Sequence, residues 1–425
     1  MMLAGQQILC FGPDKWGSIW QDKPGLMRAL ARQNLVIYFE PRPHLPDVLR
    51  DLRAGRVGWR DLRRPRLERI EETLYVYHHP LYAPISGREP LRTLLRWLRE
   101  TLWRRSLREL GIHRPILWLY LPGMLDLVGR FHERLLIYFV VDEYAAYPGL
   151  KPKVVASMRR REEALLRRAD LVFTTAATLR DERLPLNPHT YWIPNAVDFA
   201  AFAAAPAASQ PEAAILAFVP RPRLGVVGSI GSKVDYELLA AVAQARPDWS
   251  LALVGPVVPG ADVHKLDALR SLPNVHLLGA VPPPEVPHIL RACDVGLIPY
   301  VTSPETHHIN PLKVYEYLAV GLPVVSTPLP NLAVPPEMAR TAGTPPAFIA
   351  AIEAALAETG DEHVARRRAY ASTQTWDARA GEISRRIEEA LARKGAAIST
   401  QANRYEVHPP SPVPSPWKGE GQGGG

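Results

Sequence analysis

The chain has 425 residues, 47% of them hydrophobic, more than one typical core requires, so two domains are expected. Its formal charge of +8 suits acidic partners, whether nucleotides, anionic lipid surfaces or nucleic acid, and does not choose among them. Two cysteines, Cys10 and Cys293, sit far apart in apolar runs without metal or disulfide spacing; no run of eighteen apolar residues and no basic export signal is present, so a cytoplasmic protein in a reducing compartment is expected.

In chain order, an apolar run at 7–11, a Gly-Pro-Asp-Lys-Trp-Gly loop, a helical pattern at about 24–32 and a second apolar run at 35–39 read as strand, loop, helix, strand. This is the parallel βαβ unit. Trp16, Trp20 and Gln21 stand near the exit of the first strand, where rings stack on a sugar or pack between domains. Further apolar runs at 74–77, 116–121, 135–141 and 171–174 continue the scheme. Residues 87–114 carry eight arginines among leucines and tryptophans. That pattern reads either as basic amphipathic helices suited to an anionic membrane surface or as ordinary helices with leucines inward and arginines outward. Asp142 and Glu143 close the run at 135–141 and lead into an aromatic loop beginning at Tyr144, as acceptor-side groups or as a helix cap.

Alanine and proline without periodicity mark 201–223 as a linker between a domain at 1–200 and one at 224–373. The second half repeats the alternation, with buried-strand runs at 224–227, 251–254, 275–278, 295–298 and 324–326. Gly225, Gly228 and Gly231 surround the first of these, with Ser229, Ser232 and Lys233 in the turn before a helix from about Asp235. Such a turn brings backbone amides close to phosphate, and tight strand-on-helix packing explains the glycines equally well. Gly279 and Val281, after the third run, join the donor-side candidates. The loop 302–310 holds Glu305, His307 and His308, a weak metal signal without a matching Cys or carboxylate, and no D-x-D pair occurs anywhere.

The most punctuated stretch is 310–325. Asn310 reads as an N-cap, Pro311 as the first helical position, Gly321 as a left-handed exit and Pro323 as a stop, giving a helix at 311–320. Lys313 and Glu316 share one face. There they form either a solvated ion pair or a site in which the helix amino terminus and the ammonium hold phosphate while the carboxylate accepts sugar hydroxyls. An amphipathic helix follows within 374–394, and 395–425 reads as a disordered tail.

Four stretches carry a resemblance: W-G-S-I-W-Q at 16–21, Y-F-V-V-D-E-Y-A-A-Y-P-G at 138–149, I-P-N-A-V-D-F at 193–199 and N-P-L-K-V-Y-E-Y-L-A-V-G-L-P-V-V at 310–325. Over residues 5–394 the chain resembles retaining group 1 glycosyltransferases of the GT-B fold, most closely the teichuronic-acid-biosynthesis type. The resemblance implies an α/β protein of two doubly wound Rossmann-like domains facing across a cleft, with the terminal helix returning to the first. It implies transfer of a sugar, with retention, from a nucleoside diphosphate sugar to a hydroxyl of a glycan or lipid-linked acceptor in cell-surface polysaccharide synthesis. No cofactor beyond that donor, no metal and no nucleic acid partner are expected; an anionic membrane surface is a candidate partner of 87–114. The candidate catalytic residues are Lys313, Glu316 and Asp142; the donor side adds Gly228, Ser229, Lys233, Gly279, Val281, His308 and Asn310, and the acceptor side Trp16, Asp142, Glu143 and Tyr144. Many members carry two glutamates eight positions apart. Glu316 matches the second, whereas His308 stands at the first. Where members often carry an arginine and a lysine for the diphosphate, Ser229 stands near the arginine's place and Lys233 remains. A sugar-nucleotide epimerase and a non-catalytic nucleotide- or glycan-binding protein are the two other readings.

Overall fold

The computed structural model describes residues 2–17, 22–58, 61, 66–204 and 214–405, with 22, 23 and 397–405 described by their backbone alone. Trp20, Gln21, linker residues 205–213 and tail residues 406–425 lie outside the described residues.

The first domain is an eight-stranded sheet of β1 (Gln7–Phe11), β2 (Leu35–Phe39), β3 (Leu67–Glu71), β4 (Leu74–Tyr77), β5 (Ile116–Leu119), β6 (Leu135–Val140), β7 (Leu171–Thr174) and β8 (Thr190–Trp192). The order is β3-β4-β2-β1-β5-β6-β7-β8, parallel except for β3 against β4. Side chains alternate along each strand, so both faces are apolar and both must be covered. Ile8, Cys10, Val36, Tyr38, Trp118 and Ile137 face α1 (Asp22–Ala31), while Leu9, Phe11, Phe39, Leu119 and Tyr138 face the opposite side. After α2 (Leu45–Arg53), that second side is closed by α3 (Leu91–Glu109), α4 (Pro152–Arg168) and α5 (Ala177–Arg183), through Trp103, Leu165 and Leu179.

After α6 (Phe199–Ala203), the second domain stacks β9 (Arg223–Val227), β10 (Ser250–Val254), β11 (Val275–Gly279), β12 (Val295–Ile298), β13 (Val324–Ser326) and β14 (Arg340–Thr341) in the parallel order β11-β10-β9-β12-β13-β14. Between them run α7 (Tyr236–Ala245), α8 (Val263–Arg270), α9 (Val286–Arg291), α10 (Leu312–Ala319) and α11 (Pro345–Leu356), followed by α12 (Asp361–Thr373). Asp235 caps α7 by accepting from Leu238 N at 2.9 Å. Both sheets are doubly wound, as the alternation of apolar runs requires.

The last helix, α13 (Trp376–Tyr405), crosses back and buries Ile383, Ile387 and Ala390 in the first domain's core. Its Trp376 ring lies where a side chain on Gly25 would be, 2.5 Å from an added Cβ. The helix continues past 394 to Tyr405, which moves the start of the tail. The reason is compositional: apart from Gly395 the segment holds ordinary helix formers, and the first proline comes only at Pro409.

In the second domain, Tyr317 of α10 packs against Gly296 of β12, where an added Cβ would fall 2.4 Å from the ring. Gly296→Ala is therefore expected to lower stability by about 1–3 kcal/mol through overpacking, read as a shift of the urea midpoint. An unchanged midpoint would show that the ring has room to move.

Candidate functional site

The strand order reverses between β9 and β12, and in an open parallel sheet the crevice beyond the carboxyl ends at that point is where ligands sit. Gly228 leaves β9 with φ +141, and its N–H donates to Val254 O at 2.8 Å. An added Cβ on Gly228 would lie 2.8 Å from Lys313 Cε, so the lysine stem passes over this turn. Gly255 beside it has φ +151, and a Cβ there would fall 1.9 Å from Gly228 O. Gly225 and Gly231 differ from Gly228: added Cβ atoms would strike Cys293 Sγ and Val258 Cγ2, each at 2.7 Å. Of the three glycines read from sequence, one opens the site and two serve packing.

α10 begins at Leu312, with Pro311 in the capping position and no side-chain cap, and Gly321, just past its capping residue Val320, turns the chain with φ +88. Asn310 is not its cap. Its Oδ1 accepts from Asn195 N at 2.8 Å, and its Nδ2 donates to Asn331 O at 2.8 Å. Asn310 thus ties the crossover from the first domain to the second, and these bonds replace the expected capping role. Val227 N donates to Tyr317 Oη at 3.1 Å, which fixes α10 to the end of β9. On α10, Lys313 Nζ meets Glu316 Oε2 at 2.9 Å, with side-chain exposures of 25% and 3%. A solvated surface pair is ruled out by the burial of Glu316. Removing a carboxylate from water costs several kcal/mol unless a partner compensates, and Lys313 is such a partner.

Lys233 follows on the same wall, its ammonium 5.1 Å from the Tyr300 ring centre. Tyr300, then Asp142 and Glu305, raise its pKa above the ordinary lysine value despite burial, so it is a firm cation. Asp142 comes from the first domain, beyond β6, and accepts from Tyr147 Oη at 3.1 Å. Ser232 Oγ donates to Glu305 Oε2 at 3.4 Å. Burial, then Asp142 and Glu305, raise the Tyr147 pKa, which keeps this phenol a donor. The two sheets therefore present their carboxyl edges to one another, with Lys313, Gly228 and Lys233 on one wall and Asp142 on the other.

The remaining candidates each have neighbours of their own. Glu143 is bonded to Arg183, a buried guanidinium that also meets Glu162 at 3.2 Å and pairs with Glu182. It takes part in an ion network inside the first domain. Tyr144 packs edge-on to Tyr147 at 5.7 Å, and burial raises its pKa well above the ordinary value. Trp16 packs within the first domain, edge-on to Tyr38 at 5.0 Å with the Arg28 guanidinium 5.4 Å from its ring. His308 is buried in the seam between domains: Nδ1 lies 3.0 Å from Thr178 Oγ1 and Nε2 lies 3.6 Å from Glu182 Oε1. Burial lowers its pKa, with Glu182 acting in the opposite sense. Asn331 completes the seam, donating to Thr178 Oγ1 at 2.9 Å and to His307 O at 2.7 Å. Ser229 is half-buried in the turn after β9. Gly279, φ +76, has open space at its Cβ position and accepts from Gly255 N at 2.7 Å, while Val281 packs on the core.

In α3 both readings of 87–114 need revision. Arg99 turns inward and donates to the carbonyls of Ala83 and Pro84, while Leu94 and Trp97 turn outward, 58% and 61% exposed. Among the described residues no helix is long and apolar enough to cross a membrane, and no group of three His, Cys, Asp or Glu could hold a metal.

The family of group 1 glycosyl transferases matches residues 221–358, the part that carries the glycine turn and α10. TuaH of Bacillus subtilis (strain 168), assigned provisionally to teichuronic acid biosynthesis as a glycosyltransferase, is 33% identical over 278 residues, 62% of this chain and 69% of that one. Among solved structures, sucrose-phosphate synthase from Thermosynechococcus elongatus aligns over 94% of this chain and 100% of its own, with TM-score 0.61 and 18% identity. Anabaena HepE in complex with UDP aligns over 91% and 100%, with TM-score 0.60 and 16% identity. The arrangement they share with this chain is the GT-B fold expected from its sequence.

Proposed function

Because the chain belongs to the group 1 glycosyltransferase family, we propose that it moves a sugar from a nucleoside diphosphate sugar to a hydroxyl of a glycan or lipid-linked acceptor in cell-surface polysaccharide synthesis, with retention and without a metal. The observation that carries this reading is the Lys313 stem lying over Gly228 at the strand-order reversal, with Lys233 following in the same turn and facing Asp142 and Glu305. Cleavage of the glycosidic bond places growing negative charge on the departing diphosphate. Two ammonium groups and the amino end of α10 stabilise that charge where water is scarce. Glu316 accepts hydroxyl hydrogen bonds of the donor, and Asp142, across the cleft, orients the acceptor hydroxyl. Closure of the domains over the cleft limits donor hydrolysis. The relative's link to teichuronic acid and the capture of HepE with UDP support a uridine nucleotide and an envelope polysaccharide. Membership of a transferase family favours neither the epimerase nor the non-catalytic reading.

A panel of nucleotide sugars tests the proposal through heat stability. At a hundredfold excess over Kd, a true donor stabilises by about 2.7 kcal/mol, a rise of several degrees in Tm. If no nucleotide sugar raises Tm, the donor site is misassigned.

The same reading places the protein at the inner face of a membrane. Leu94 and Trp97 project from α3 among exposed arginines, and each basic group near an anionic surface contributes about 1 kcal/mol at best. Co-sedimentation with anionic vesicles at low salt reads this directly, and absence of binding leaves a freely diffusing enzyme.

A further inference from the structure

A pocket of about 470 Å³ lies at the opposite edge of the first domain, where β5 and β6 begin rather than where they end. Its walls carry Arg104 and Arg108 of α3 and Arg130 from the loop before β6, over a floor of Leu107, Ile112 and Phe131.

None of the lining residues is acidic. Glu100 stands beside the pocket, 3.5 Å from both Arg104 and Arg130, and Glu133 accepts from Phe131 N at 3.4 Å, so two carboxylates are set against three guanidinium groups. Planar guanidinium forks match the oxygens of a phosphate. The floor asks for something more than a free ion, since Phe131 packs on Trp103 at 5.7 Å and on Phe11 at 5.6 Å and offers apolar surface beneath the charges. Leu94, Trp97, Thr101, Arg104 and Arg108 follow one another at alternating steps of three and four along α3, which puts them on one face. The exposed apolar end of that face therefore runs into the basic pocket. His132, on the pocket wall, and Arg114, next in sequence to Pro115 of the wall, both hold left-handed backbone at φ +51 and +46, a conformation that persists where the surroundings impose it.

We infer that this pocket binds the phosphate head of a single anionic lipid, whose acyl chains leave along the face of Leu94 and Trp97. The inference rests on the membrane reading above and adds a specific site to it, remote from the reaction cleft.

The test uses the full chain and two kinds of probe. In calorimetry, short-chain phosphatidic acid below its micellar concentration is compared with glycerol 3-phosphate, which carries the same phosphate without acyl chains. The combined variant Arg104→Gln, Arg108→Gln, Arg130→Gln is compared with a charge-matched control on α4, Arg159→Gln, Arg160→Gln, Arg161→Gln. The expected result is a loss of about tenfold or more for the short-chain lipid in the pocket variant, little change in the control, and weaker binding of glycerol 3-phosphate. Equal losses in the two variants, equal binding of the two ligands, or no binding of the lipid by the wild type would each overturn the site. Vesicles of neutral lipid with added phosphatidic acid, with Leu94→Ser and Trp97→Ser as the variant, test the membrane reading separately. If vesicles are not bound but the short-chain lipid still depends on the three arginines, the membrane reading falls and the pocket stands. If vesicle binding depends on Leu94 and Trp97 while the pocket variant matches the control in both assays, the pocket falls and the membrane reading stands.

Discussion

Lys313→Met is expected to weaken binding of the nucleoside diphosphate by about tenfold or more while leaving the nucleoside nearly unaffected, because a charge-assisted contact to phosphate contributes about 1.5–3 kcal/mol. Methionine keeps the length of the stem over Gly228 and removes only the ammonium. The motivation is geometric: the Lys313 Cε lies 2.8 Å from where a Gly228 side chain would start, so at this turn of the three-glycine segment the neighbour is a cation's stem rather than an apolar core group. Calorimetry with the two ligands decides it. Equal losses for nucleoside and diphosphate would take Lys313 away from the phosphates.

Glu316→Gln should produce a different split. A neutral amide preserves volume but accepts hydroxyl donors less strongly, so affinity should fall by about tenfold for the nucleoside as well as for the diphosphate, given the 1.5–3 kcal/mol carried by hydrogen bonds to a charged group. Glu316 is only 3% exposed, and its partner Lys313, at 25%, can still reach solvent when the carboxylate is lost. The fold should therefore survive, as circular dichroism and the melting curve would show. Unchanged affinity for both ligands would reduce the Lys313–Glu316 pair to a structural contact.

Much of this architecture is legible in the pattern of residues alone. Runs such as 35–39 and 295–298 are continuous apolar segments between turn signals, and they are strands at the same bounds. β3 is not legible, because Leu-Glu-Arg-Ile-Glu is an antiparallel edge strand with polar residues on both sides, and β8 and β14 are only three and two residues long. The site is legible where local signals concentrate, at the glycine turn and at α10. It is not legible where single loop residues meet through the packing of two domains, as with Tyr147, Tyr300 and Glu305 around Lys233 and Asp142. Asn310 shows the same limit: its side chain suits a cap, yet Asn195 and Asn331 claim it from distant parts of the chain. In α3, composition alone mixes the two faces. The inward spacing of Leu95, Arg99, Trp103 and Leu107 shows that the helix phase, rather than residue type, decides which arginine is buried.

The most direct measurement is release of nucleoside diphosphate from the sugar nucleotide that best protects the protein against heat, followed on addition of an acceptor-containing membrane extract in excess chelator. The account predicts acceptor-dependent release in the wild type, undiminished by the chelator, and a loss of rate in Lys313→Met. Release that requires added manganese or magnesium, or a Lys313→Met variant as fast as the wild type at low donor concentration, would contradict it.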